Sequence, residues 1–167
     1  MRMSFYAVAI PLLLSVFLQA QTKGSFHEVS VCGKSAVHQT VLINDDRQHS
    51  ISLDQRPCTS REPIGIGRLE GTEYVTYGVD DVQNGRSIDR GYAVGTMANG
   101  DRYFLAYNGT ATMNGNAPEY LEGTWTFTGG TGRLKQLKGG GTYAAHPTAD
   151  GGMEFVIEGK YELPSSR

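Results

Sequence analysis

Asp80-Asp81 and Asp89-Arg90 bracket the segment Val82–Ile88, which contains Asn84-Gly85-Arg86. A loop there that closes over a cavity mouth brings carboxylates and a guanidinium together. Paired carboxylates support acid–base chemistry when their surroundings separate their pKa values. The bland reading of the same residues is a solvated polar turn. A second set is aromatic: Tyr103, Tyr107, Trp125, Phe127, Phe155 and Tyr161 recur on the apolar faces of alternating segments. Such residues either fill the interior of a small barrel or line a cavity for one small apolar ligand.

Other candidates fall short of chemistry. Gly129-Gly130-Thr131-Gly132 is followed by Lys135 where a dinucleotide fingerprint needs its third glycine, and it lacks the G-K-[ST] ending of a phosphate loop. It reads as a turn with positive φ. Arg133, Lys135 and Lys138 form a small basic cluster that reads as solvated loop. The histidines are scattered, without zinc spacing and without a serine or cysteine partner motif. No metal, cofactor or catalytic residue is assigned. Cys32 and Cys58 are the only cysteines. In an oxidising compartment an even count favours a bridge, closing a loop of about 27 residues, over two separate buried thiols.

These residues need strands to position them. Leu121, Gly123, Trp125 and Phe127 alternate with Glu122, Thr124, Thr126 and Thr128; Met153 to Leu163 and Tyr103 to Tyr107 repeat the pattern. A period of two puts one face in a core and the other in water. Asn99-Gly100 predicts a two-residue hairpin turn with both residues at positive φ. Earlier strands are predicted over His27–Cys32, Ala36–Ile43, His49–Leu53 and Ile64–Gly78, and one helical turn fits Arg133 to Leu137. With Gly71, Gly95, Gly123, Gly141 and Gly159 inside strands, the fold class is all-β, a single antiparallel barrel of about eight strands.

Composition agrees. The 167 residues suit one domain, and hydrophobic residues at 39% supply a core. Arg2, an apolar run from Ala7 to Leu18 and a small Ala20 make a signal peptide over residues 1–20, leaving residues 21–167 as one domain with a core from about 25 to 164. The run is too short to span a bilayer. The expected location is secreted or periplasmic, with no membrane anchor after cleavage. That mature part has 14 basic and 17 acidic side chains, a net −3 without a basic stripe, which argues against nucleic acid as a partner.

The stretch GYAVGTMANGDRYFLAYNGT, then GTWTFTGGTGRLKQLKGGGTY and EFVIEGKYEL, resembles the C-terminal half of the allene oxide cyclase-like barrel superfamily, which includes the plant dirigent proteins. Gly129 to Leu134 is its recognisable piece, and small exported bacterial members are especially similar. The resemblance implies an eight-stranded barrel with a central cavity, often trimeric in the plant members, so a homo-oligomer stays open. No individual catalytic position carries across, and a shared fold does not confer an activity.

Three functions compete. The first is a non-catalytic exported barrel binding a small apolar molecule. The second is a cyclase- or isomerase-like enzyme steering a reactive intermediate in the pocket. The third is a filled structural or interaction barrel. The interior discriminates: a solid core removes the first two, and a buried carboxylate or tyrosine hydroxyl in a cavity favours the second over the first.

Overall fold

A computed structural model describes residues 21–45, 47–115 and 117–164, so the leader assigned to residues 1–20 lies outside the described residues. Nine strands follow one another: β1 (Gln21–Cys32), β2 (Val37–Ile43), β3 (His49–Ile66), β4 (Leu69–Gln83), β5 (Arg86–Met97), β6 (Arg102–Asn114), β7 (Ala117–Gly130), β8 (Lys138–Pro147) and β9 (Met153–Pro164). All neighbouring pairs are antiparallel, and the sheet runs β1-β9-β8-β7-β6-β5-β4-β3-β2. Ser30–Cys32 of β1 also pairs with Cys58–Ser60 of β3, which closes β1 and β3–β9 into an eight-stranded barrel. Among the described residues no helix is long and apolar enough to cross a membrane.

Strand β2 stands outside that closed ring. After Cys32 the chain makes a short bend in which the Gly33 and Ala36 amides donate to the Pro57 and Gln55 carbonyls, 2.9 and 2.7 Å. It then continues along β3 as β2, so β1 and β2 lie end to end on one long partner strand. The cysteines face each other across the closing seam and form the disulfide, with Cα atoms 3.9 Å apart. Cys58 belongs to β3, whereas the strands expected over His49–Leu53 and Ile64–Gly78 left it in a loop between them.

Three local expectations are corrected. The segment Ile64–Gly78 is not one strand: Gly67-Arg68 is a turn between β3 and β4, with Gly67 at φ 65°. Val82–Ile88 is not a lid. Asn84-Gly85, at φ 51° and 76°, is the tight hairpin turn between β4 and β5, the geometry an Asn-Gly pair prefers. At Asn99-Gly100 only Gly100 has positive φ, because the loop is longer and spans Ala98 to Asp101. The turn expected over Arg133 to Leu137 is a 3-10 turn at Gly132–Leu134.

One end of the barrel is packed shut. Phe26, Tyr103, Trp125 and Phe127 meet edge to face or tilted, with centroids 4.9 to 5.8 Å apart. Leu134 and Leu137 close the floor beside them, both buried. Aromatic pairs of this geometry contribute about 1 kcal/mol each beyond the area they bury. Strand glycines make room for the rings: a methyl group at Gly95 would overlap Tyr103, which is 1% exposed.

Candidate functional site

Toward the other end the interior is hollow. A cavity of about 320 Å³ lies between β3–β9, with the inward face of β2 at its rim. Its apolar lining includes Ala93, Leu105, Trp125, Phe155 and Ile157. Its polar lining includes Asp54, Arg56, Asp80, Asp89, Tyr107 and Tyr143.

Cross-strand register builds the polar part. Asp80 and Asp89 are direct partners on β4 and β5, and Gly78 and Gly91 are the next pair on the same face. The Tyr107 ring lies over that glycine pair, where a Cβ on either residue would run into its hydroxyl end. On β6 and β7 the pair Gly109 and Gly123 receives Tyr143 in the same way. Two sockets without side chains thus let two tyrosines lie across the sheet, edge to face at 6.1 Å. The Tyr143 hydroxyl donates to Asp89 Oδ2 at 3.3 Å. Gly159, paired with Gly141, lies beside the Trp125 ring. The indole Nε1 donates to the carbonyls of Thr142 and Glu158, both at 3.2 Å.

The carboxyl groups are unequal. Asp54 is well served: Arg56 and His38 lie 3.2 Å from its oxygens, and Ser35 donates to it. Asp80 receives Ser87 at 3.3 Å. Burial first, and then the neighbouring Asp80 charge, push the Asp89 carboxyl from 3.8 up to about 7. Burial and the Asp54 charge raise Asp80 as well. Facing acids repel across a strand pair and titrate jointly. The Tyr107 and Tyr143 hydroxyls, buried beside these acids, are pushed well up and stay protonated donors. Chemically, the wall offers hydrogen-bond donors and one carboxyl poised to gain or lose a proton near neutral pH.

A second acid is buried off the cavity wall. Glu28 on β1 is 4% exposed, and one of its oxygens, Oε1, has no hydrogen-bond partner among the described residues. Burial raises it from 4.5 to about 7, partly offset by hydrogen bonds from Ser30 and Tyr74. It is not on the cavity wall.

Of the aromatic residues singled out in the sequence, Tyr107, Trp125 and Phe155 line the cavity. Tyr103, Phe127 and Tyr161 face inward but lie in the packed end, where no open volume remains. The Tyr161 hydroxyl accepts the Gly67 amide at 2.8 Å. Of the polar set, Asp80 and Asp89 reach the cavity. Asp81 and Arg90 do not, since adjacent residues of a strand point to opposite faces. Asp81 lies instead 3.0 Å from His49 Nε2, and Arg90 is exposed. Asp54, Arg56 and Tyr143 were missed. In Ser52-Leu53-Asp54-Gln55-Arg56-Pro57-Cys58 the even positions share a face with the buried cysteine, a signal lost by ending the strand at Leu53. Among the described residues no cluster of three or more acids, histidines or cysteines is arranged to hold a metal ion.

No protein-family model matches this sequence, and no curated protein matches it. Among solved structures the chain is similar to that titled "Structure of the pterocarpan synthase dirigent protein GePTS1". The TM-score is 0.51 over 88% of each chain, at 10% sequence identity. The barrel is dirigent-like. Identity this low establishes the shared fold, and the dirigent-like barrel positions an interior cavity without specifying its contents.

Proposed function

We propose that this dirigent-like barrel is exported and binds one small, mostly apolar molecule in its interior, with the polar end of the ligand at Asp89, Tyr107 and Tyr143. The observation that carries the reading is the cavity itself: about 320 Å³, lined by apolar side chains with a group of polar ones among them. That volume and arrangement match small-molecule sites, which run from about 300 to 1,000 Å³ with a few placed polar groups. An open volume of this size also weighs against a filled structural barrel. The leader-like residues 1–20 and the disulfide support an oxidising compartment outside the cytoplasm. The tie to the allene oxide cyclase-like superfamily and its exported bacterial members is part of this proposal.

Trp125 is the only tryptophan and lines the cavity, so its emission reports occupancy. Titration with a fatty acid, a terpenoid and a phenol is expected to change that emission for at least one class, saturably. Trp125→Phe should keep the fold and weaken binding modestly. An unchanged signal across the panel, with no small molecule retained in native mass spectrometry of protein from its own host, would end the ligand-carrier reading.

Binding is common to the carrier and the enzyme, and the buried Asp89 carboxyl beside tyrosine hydroxyls in the cavity favours the second, proton transfer to the bound molecule as in a cyclase or isomerase. Asp89 titrates near 7 beside the Tyr143 hydroxyl, inside a cavity. A carboxyl matched to the working pH is suited to general acid–base work. The neighbour's printed name, a synthase, leans the same way. Asp89→Asn separates the readings: a carrier keeps the same bound compound unchanged, whereas an enzyme loses a conversion that the parent protein performs.

A further inference from the structure

Strand β2 ends the sheet. One edge pairs with β3 over its full length, from Val37 opposite Gln55 to Ile43 opposite His49. The other edge has no partner strand among the described residues. Alternate residues of such a strand turn their N–H and C=O groups away from the sheet, a template for another strand. Proteins usually guard such an edge with lysine, proline, other charges or a bulge. The β2 sequence, Val-His-Gln-Thr-Val-Leu-Ile, contains no Lys, Arg, Asp, Glu or Pro, and its pairing with β3 is regular. Six of its seven residues are exposed, Val41 by 61% and Leu42 by 82%.

The segment is complementary to itself. Laid antiparallel against a second copy about a two-fold axis at Thr40, it sets Val37 opposite Ile43 and Gln39 opposite Val41 on the outer face. On the inner face His38 meets Leu42 and Thr40 meets Thr40. No like charges face one another, Val37 with Ile43 is an apolar pair, and Thr40 with Thr40 is a hydroxyl pair, both favourable kinds. The outer face continues onto Ile51 and Leu53 of β3, 37% and 50% exposed, which flank Val41 and Gln39 in register. The outward residues of β7, Glu122, Thr124, Thr126 and Thr128, are polar by contrast.

We propose that β2 is a self-association edge, through which two copies of this chain pair antiparallel about Thr40 into one sheet continuous across both barrels. A contact of this kind uses the same edge on both copies, so assembly stops at two. The expected assembly is a dimer, not the trimer that the family resemblance implied.

The test is sedimentation velocity or native mass spectrometry of the processed chain at micromolar concentration. The parent protein should be a dimer. Gln39→Lys with Val41→Lys, both on the exposed outer face, sets lysines opposite each other across the two-fold and should give monomers, with circular dichroism and Trp125 emission unchanged. Gln39→Lys with Val41→Glu sets the new lysine of each copy opposite the new glutamate of the other and should restore the dimer. A monomeric or trimeric parent, a double-lysine variant that still dimerises, or a failure of the lysine–glutamate variant to recover would each overturn the proposal.

Discussion

Raising the pH from about 5 to about 8 is expected to destabilise the barrel by several kcal/mol, a direction opposite to that of proteins held by salt-bridged carboxylates. Glu28 and Asp89 have ordinary values of 4.5 and 3.8 and are each raised to about 7 in the folded chain, by burial above all. Between those limits the folded state holds protons that the unfolded chain has released, so stability falls as pH rises. The favourable contribution is complete near pH 4 and is lost as pH passes through 7. At 1.36 kcal/mol per pKa unit, each group contributes on the order of 3 kcal/mol. Glu28 is the cleaner case, because it is off the cavity wall and one oxygen has no partner. Asp89 titrates together with Asp80, which spreads its part of the transition. Asp45 and Asp150 are lowered by hydrogen bonds from His49 and Thr148 respectively, so their small contributions fade on the acid side. Urea denaturation across this range checks the slope. Glu28→Gln should flatten much of it and leave a chain more stable than the parent above pH 7. A parent whose stability rises from pH 5 to 8 contradicts the account.

Loss of the Cys32–Cys58 bridge is expected to cost about 3.5 kcal/mol, the loop-closure entropy returned to the unfolded chain, for cysteines 26 residues apart. For a domain of this size that lowers Tm by roughly 10 °C. The position adds a structural consequence. Pairing between β1 and β3 covers only Ser30–Cys32 with Cys58–Ser60, and the bridge is its last rung. Without it the seam is expected to open first, seen as faster amide hydrogen exchange at Val29 to Cys32 than in the β6–β7 hairpin. Cys32→Ala with Cys58→Ala, compared with the parent under non-reducing conditions, measures both effects. A double variant within about 0.5 kcal/mol of the parent, below the usual range for a native bridge, would show that the seam holds without the covalent link.

The chain by itself determined what depends on neighbours along the strand. Alternation fixes a residue's face within one or two positions, so the inward set of β6, β7 and β9, from Tyr103 to Tyr161, was legible, and with it an all-β barrel. It failed where alternation is masked. In β3 the inward Ser52, Asp54 and Arg56 are polar while Ile51 and Leu53 point outward, so the pattern reads inside out. Depth along the barrel was equally invisible: Phe127 and Trp125 share a face two residues apart, yet only Trp125 reaches the cavity. Tertiary structure alone decided these points. Register sets Asp80 beside Asp89, and paired glycines from different strands leave the sockets that aim Tyr107 and Tyr143 at the same wall. Closure at Cys32 and Cys58 leaves β2 outside the ring with a bare edge. Tyr107 and Tyr143 come from strands other than those of the glycines beneath them, and no local periodicity encodes which glycine will lie beneath which ring.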